Sequence, residues 1–259
     1  MKFAPGAWRY ALLPLLAAPF AFIFSVTASV VLLVLGAATL GFFRDPERTP
    51  PPSGVVAPAD GTVSVCREEG TRVRLGTFMN VHNVHVVRAP FDATVHEAEH
   101  VPGAHKPAFS KDSDRNERVH LRLEPTTGRA STEPDTTDET NADDDSSPAA
   151  EVTFIAGAFA RRIFPYVETG ESIERGQRIG HIAFGSRVDV VFPPSVSPDD
   201  LAIEMGQKMT AGETVILEPD ADTGLGMSSL EGETGLEMGG LDDEAVDSNG
   251  DGSTEDVAN

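Results

Sequence analysis

The chain has 259 residues, enough for one large domain or two small ones. Its single cysteine, Cys66, excludes an intrachain disulfide and a cysteine-based metal cluster. The net charge of −21 is unevenly placed: residues 124–151 and 218–259 hold 22 of the 41 acids and one of the 20 bases, so the remainder is formally neutral. Neither acidic segment would approach phosphates, which argues against a nucleic-acid partner. With 16 arginines and only 4 lysines, the composition suits a high-salt cytoplasm.

From the N-terminus, residues 10–43 contain no charged side chain. This run exceeds the roughly 20 apolar residues needed to cross a bilayer once and falls short of two full crossings. Pro14 and Pro19 are expected to kink or break a helix. Residues 1–44 are therefore predicted to be a membrane anchor, either one span or a shallow hairpin, that holds the protein at the cell membrane by its N-terminus. A cleavable signal peptide would have an apolar region of about 7–15 residues, and this run is longer. Residues 45–53, D-P-E-R-T-P-P-P-S, are predicted to be a linker.

Residues 54–217 are predicted to form a mainly β domain. Short segments rich in Val and Ile, bounded by Gly, Pro and Asp, fall at 54–56, 62–66, 72–75, 84–88, 93–97, 118–123, 152–156, 178–184 and 187–192. No convincing amphipathic helix of more than three turns follows residue 44. Residues 124–151 have the composition of an acidic, disordered insertion between two strands, and 218–259 that of an acidic tail. Near the end of the domain a unit repeats: G-x-x-[apolar]-x-x-G-x-x-[apolar] occurs at 170–179 and at 206–215. Glycines supply the positive φ of tight turns, and the apolar residues plug the core between them. The pattern is similar to the hairpins of biotinyl and lipoyl domains. The predicted fold is thus a β-sandwich, or barrel-sandwich-like domain, behind an N-terminal helical anchor.

Three places hold residues that packing does not require. Asp60 lies in A-P-A-D-G-T at 57–62, where Asp60-Gly61 alone is a turn signal. His85 lies among valines in N-V-H-N-V-H-V-V-R-A-P at 80–90, where a lone histidine would ordinarily be a satisfied core residue. Gly185 and Ser186 form a step inside A-F-G-S-R-V-D at 183–189, and a glycine in a strand marks a bulge or a close backbone approach.

In this order and wording, the pieces resemble the short archaeal and bacterial type of phosphatidylserine decarboxylase proenzyme. The shared stretches are F-F-R-D-P-E-R at 42–48, P-A-D-G at 58–61, F-M-N-V-H-N-V-H-V-V-R-A-P at 78–90, N-E-R at 116–118, A-R-R-I at 160–163 and G-Q-R-I-G-H-I-A-F-G-S-R-V-D-V at 176–190. The resemblance extends from the anchor to about residue 217, apart from the acidic insertion. It implies self-cleavage between Gly185 and Ser186, with Ser186 Oγ attacking the Gly185 carbonyl, His85 as the base and Asp60 orienting His85. The products would be chains 1–185 and 186–259, the smaller capped by a pyruvoyl group made from Ser186. That covalent cofactor would form a Schiff base with a serine phospholipid and accept the electrons left as carbon dioxide departs, giving the ethanolamine lipid. The implied partners are the phospholipid membrane, the lipid substrate and the two chains of one proenzyme; a homo-oligomer is left open. Ether-linked tails would make the substrate archaetidylserine.

Three further residues are candidates within this scheme. His82 could return a proton to the decarboxylated intermediate, although relatives often carry an apolar residue there. Arg161 and Arg162 could hold lipid phosphate, and a solvated strand end explains them equally well. The remaining histidines show no metal-ligand spacing, so no metal site is expected. The alternative is a membrane-tethered biotinyl- or lipoyl-like carrier or adaptor, with Lys208 as its attachment point. It leaves Gly185-Ser186, His85 and Asp60 without a purpose. A conventional serine hydrolase would need a G-x-S-x-G elbow and alternating β/α patterning, and this sequence has neither.

Overall fold

The computed structural model describes residues 2–104, 106, 115–126, 150–157, 162–184, 186–218 and 225. The N-terminal elements are β1 (Lys2–Phe3), α1 (Ala7–Phe24), α2 (Val26–Phe42) and β2 (Arg44–Asp45). The strands that follow are β3 (Val55–Val56), β4 (Gly61–Glu69), β5 (Arg72–Met79), β6 (Val86–Arg88), β7 (Ala93–Val101), β8 (Arg118–Pro125) and β9 (Ala150–Ala156). The last six are β10 (Arg162–Pro165), β11 (Ser172–Ile173), β12 (Arg178–Ala183), β13 (Ser186–Val191), β14 (Lys208–Met209) and β15 (Val215–Leu217).

The apolar N-terminal run folds as a helical hairpin. Ser25 adopts an extended backbone between the helices, and its Oγ accepts from Ala28 N–H at 3.3 Å to cap α2. Helix α1 runs through Pro14 and Pro19 instead of breaking at them. Its buried residues, Ala7, Ala11, Pro14 and Ala18, recur at helical spacing, and α2 buries Ser29 and Gly36. Small residues let two helix backbones approach closely, which supports a helix despite the missing proline N–H groups. A Cβ on Gly36 would lie 2.5 Å from Leu15 Cδ2. At the base, β1 pairs antiparallel with β2, with Lys2 opposite Asp45, so both ends of the hairpin emerge together.

The β domain contains an eight-stranded sheet in the order β11-β7-β8-β9-β13-β5-β4-β14, antiparallel throughout. It curls around a core that includes Phe91, Phe154, Phe192, Leu121 and Leu123. A second sheet, β10-β12-β6, has two differently used faces. Ile163, Ile182 and Val87 enter the main core. Val86 and Ala183, with Phe164, pack instead against Ala4, Ala7 and Phe43 at the hairpin base.

All nine predicted strand segments occur, some lengthened or trimmed at their ends. The short strands β10, β11, β14 and β15 were not predicted, because two to four residues carry too little alternation to register. Residues 45–48 do more than link. Asp45 is buried and receives Arg88 and Arg178, while Arg48 reaches Asp60 and Glu213, so this stretch is strapped onto the β domain. The expected insertion is narrower than 124–151, since Glu124 and Pro125 belong to β8 and Ala150 and Glu151 to β9. Residues 127–149 and nearly all of the tail lie outside the described residues. In the repeat, Gly170, Gly176, Gly206 and Gly212 take φ of +88°, +78°, +82° and +73°, and Ile173, Ile179 and Met209 are buried.

Candidate active site

Strand β13 is central, and all six of its residues are buried. Arg187 Nε and Nη2 donate to Asp189 Oδ1 and Oδ2 at 2.7 and 2.9 Å, and Arg74 Nη1 adds a 3.0 Å contact to Oδ2. This neutralisation allows a charged pair on a strand flanked on both sides. Ser186 opens the strand, opposite Met79 at the end of β5 and Ala156 at the end of β9. It is fully buried, and its Oγ donates to the Met79 thioether at 3.0 Å. A thioether is a weak acceptor, so the hydroxyl is not committed to a strong partner. Just before it, Phe184 has φ +67°, the sole positive value at a non-glycine among the described residues. Such a conformation costs of order 1–3 kcal/mol and persists only where the surroundings impose it. Gly185 itself lies outside the described residues.

His85 stands on the loop that leaves β5. Asn80 N–H donates to Asn83 Oδ1 at 2.8 Å, and Asn83 N–H donates to the Asn80 carbonyl at 2.9 Å, which closes the turn. The Asn83 carbonyl then lies 3.0 Å from His85 Nδ1. A carbonyl can only accept, so Nδ1 carries the proton and Nε2 presents its lone pair. That Nε2 is buried and has no hydrogen-bond partner. Burial pushes the imidazole down to about 4, and the neighbouring Arg44 charge pushes the same way. His85 is therefore neutral at pH 7. Phe42 covers the ring at a centroid distance of 4.2 Å, and Ile182 N–H donates to the His85 carbonyl at 3.1 Å, four residues before Ser186.

Asp60 has different partners from those expected. Its carboxylate receives Arg48 Nη2 at 3.1 Å and the Ala211 N–H at 2.8 Å. Among the described residues no hydrogen bond joins Asp60 to His85 or His85 to Ser186. Asp60 sits where the strap reaches the β domain, and the Asn83 carbonyl occupies the orienting position on His85. The side chain of His82 is exposed, while its carbonyl accepts from Arg44. Arg162 is exposed at the start of β10, opposite Ala183, and Arg161 lies outside the described residues. Lys208 is exposed on β14, paired with Thr62, rather than at a hairpin tip.

Two neighbours were not singled out by sequence. Asn116, in the N-E-R stretch, donates from Nδ2 to the Ala156 carbonyl at 2.7 Å and so pins the end of β9 beside Ser186. His181, on β12, is buried against Phe164, with its Nδ1 2.6 Å from Tyr166 Oη. A histidine in an apolar run was the available signal, as it was for His85.

A family model described as phosphatidylserine decarboxylase matches residues 35–217. A relative from Halobacterium salinarum, provisionally named an archaetidylserine decarboxylase proenzyme, is 48% identical over 82% of this chain and 96% of its own length. A phosphatidylserine decarboxylase proenzyme from Thermobifida fusca is 43% identical over 72% of this chain and 76% of its own. A Methanosarcina acetivorans relative, provisionally named an archaetidylserine decarboxylase proenzyme, is 40% identical over 68% and 72%. The chain belongs to the phosphatidylserine decarboxylase family.

Proposed function

We propose that this chain is a membrane-bound proenzyme that cuts itself between Gly185 and Ser186 and then decarboxylates the serine headgroup of a phospholipid. One observation carries the proposal: a buried serine opens the central strand at the same end of the sheet array where a buried, neutral imidazole holds an unshared lone pair. His85 Nε2 would take the Ser186 hydroxyl proton. Oγ then bonds to the Gly185 carbonyl carbon, and the peptide C–N bond breaks, leaving an ester. Loss of the Ser186 Cα proton breaks the Cβ–O bond and releases the Gly185 carboxylate. The resulting enamine tautomerises to an imine, which takes up water and loses ammonia. The orienting role belongs to the Asn83 carbonyl, and Asp60 holds Arg48 and the strap.

The residues at this position suit the pyruvoyl group. Ser186 is dry, backbone-paired on both sides, and preceded by a strained Phe184. The group would supply a carbonyl able to hold the electrons that carbon dioxide leaves behind. Because β13 lies between β5 and β9, the small chain would stay clamped to the large one after the cut. Arg162 is the proposed contact for lipid phosphate. His82, exposed on the loop that carries His85, is the proposed proton donor. The two glycine repeats support hairpins of the biotinyl and lipoyl kind. The exposed apolar faces of α1 and α2 support insertion into the bilayer, with the site beneath them at headgroup level.

Mass measurement of the purified protein tests the proposal. Two chains are expected, 1–185 and 186–259, the smaller with a blocked N-terminus that reacts with carbonyl reagents. Ser186→Ala should leave one full-length chain. A wild-type protein recovered whole, with an ordinary amino terminus and no ketone, overturns it.

A further inference from the structure

His181 is 1% exposed and plays no part in the scheme above. Its ring stacks on Phe164 with centroids 4.5 Å apart and planes 7° from parallel. Its Nδ1 lies 2.6 Å from Tyr166 Oη, and its Nε2 is buried without a partner. The direction of the Tyr166 bond follows from proton accounting. If the phenol accepted from Nδ1–H, its own proton and the bare Nε2 would both be left over. If the phenol donates, only Nε2–H is left over. A phenol is also the stronger acid. Nε2 of His181 therefore carries a proton, the opposite of His85. A buried donor without an acceptor is destabilising, so its presence needs a reason.

The sheet register shows where this donor sits. His181 is opposite Phe164 on one side and Val86 on the other. Two residues further on, Ala183 is opposite Arg162, so Arg162, Phe164 and His181 share the face of the small sheet that looks away from the main core. The hairpin base covers this face: Phe43 lies 6.1 Å from the His181 ring and 5.1 Å from Phe42, which in turn covers His85. Both imidazoles thus border one aromatic cluster beneath the helices, with Arg162 at its exposed edge.

We propose that His181 Nε2–H, aimed by Tyr166, donates a hydrogen bond to an anionic oxygen of the substrate headgroup. The proposal rests on the decarboxylase activity proposed above. A neutral N–H can hold an anion among apolar side chains without bringing in a further charge, which exposed Arg162 can supply from outside. The oxygen belongs either to the serine carboxylate or to the phosphodiester. His181 is the contact, and Tyr166 is a positioning residue.

The test uses full-length protein in lipid–detergent micelles, with Tyr166→Phe, His181→Leu and His181→Gln. All three should self-cleave like wild type. KM for the serine lipid should rise roughly tenfold in His181→Leu, in keeping with a lost hydrogen bond to a charged group. It should rise less in Tyr166→Phe, and His181→Gln, which keeps a side-chain N–H, should recover part of the loss. In each variant kcat should stay within about twofold. The ethanolamine lipid, used as a competitive inhibitor, separates the two oxygens. An equal rise in its inhibition constant assigns the phosphodiester, and an unchanged constant assigns the carboxylate. Unchanged KM in Tyr166→Phe and in a His181→Leu protein that still self-cleaves, or a fall in kcat alone, overturns the proposal. An uncleaved wild type would instead overturn the proposed function beneath it, and would show before any variant is made.

Discussion

His85 and His181 are two neutral imidazoles with opposite tautomers, each set by one neighbour: a carbonyl that can only accept and a phenol that does best to donate. Burial pushes both down to about 4 from an ordinary 6.5. The sign follows directly. An imidazole with a depressed folded-state pKa favours folding while neutral, and that contribution is lost as pH falls from about 6.5 toward 4. The uncut Ser186→Ala chain should therefore lose resistance to urea over that window. Self-cleavage should behave differently, because its base stays unprotonated until about pH 4. Freshly translated proenzyme, shifted to a series of pH values, should be cut at a nearly constant rate from pH 8 to 5 and slow only near 4. A midpoint near 6.5 would mean that the base is a solvated histidine and not His85. Asn83 offers a second check, since its side chain closes the turn that presents its carbonyl. Asn83→Ala should slow self-cleavage by up to tenfold through the loosened turn, whereas Asn83→Asp, which keeps an acceptor oxygen, should not; gel analysis of cleavage time courses distinguishes them. The candidates Ser186 and His85 could be named from the sequence, because a serine after glycine and a histidine among valines are out of place in packing. Their partners were not. The Asn83 carbonyl is backbone, and backbone acceptors leave no mark in a sequence. The Arg48–Asp60 pair joins residues twelve apart across a proline-rich stretch that composition presents as a linker.

At the scale of elements, β13 explains why the R-V-D that follows Ser186 is not ordinary strand wording. A central strand has no solvated face, and Arg187 and Asp189 are stabilised there by binding each other, with Arg74 as a second cation. Asp189→Ala removes the carboxylate that both arginines share. It is expected to destabilise the fold by about 3–5 kcal/mol, the usual effect of breaking a buried ion pair from one side. Denaturant unfolding of the Ser186→Ala form is the measurement, and a loss under 1 kcal/mol would mean that β13 is not the buried centre of the sheet. Gly76 belongs to the same arrangement: a Cβ there would lie 2.9 Å from both Asp189 Oδ1 and Val65 Cβ. The main strands were readable from β-branched runs ended by Gly, Pro and Asp. Their order was not, since it depends on pairings such as Ser186 with both Met79 and Ala156, 107 and 30 residues away in sequence. For a related reason, the proline positions do not end α1. Pro14 and Pro19 were weighed alone, but the stripe of small residues at 7, 11, 14 and 18 gives α1 a partner helix to lie against.

The whole molecule joins an apolar hairpin to a site through one strap. Of the eighteen exposed large hydrophobic side chains among the described residues, fifteen lie on α1 and α2, including Phe22, Ile23, Phe24 and Val26 around the tip. Full burial of one such side chain is worth about 1.5–3 kcal/mol, so immersing even a third of them outweighs any single ion pair on the surface. Electrostatics cannot substitute for it. Outside the two acidic segments the chain carries equal numbers of acids and bases, and those segments would be repelled by an anionic lipid surface. Membrane attachment should therefore be insensitive to salt. After membranes are washed in about 1 M sodium chloride, the protein should still sediment with them, and only detergent should release it. Release by salt alone would place the hairpin against another protein surface and remove the reason for a site at headgroup level. The same logic covers the strap. Asp45 is buried between Arg88 and Arg178, a position that composition could not distinguish from the rest of the proline-rich stretch. Asp45→Ala should leave the chain in the membrane, because the helices are untouched, yet slow self-cleavage, because Phe42 would no longer be held over His85. Sedimentation with membranes and cleavage time courses, read on the same preparation, separate those two effects.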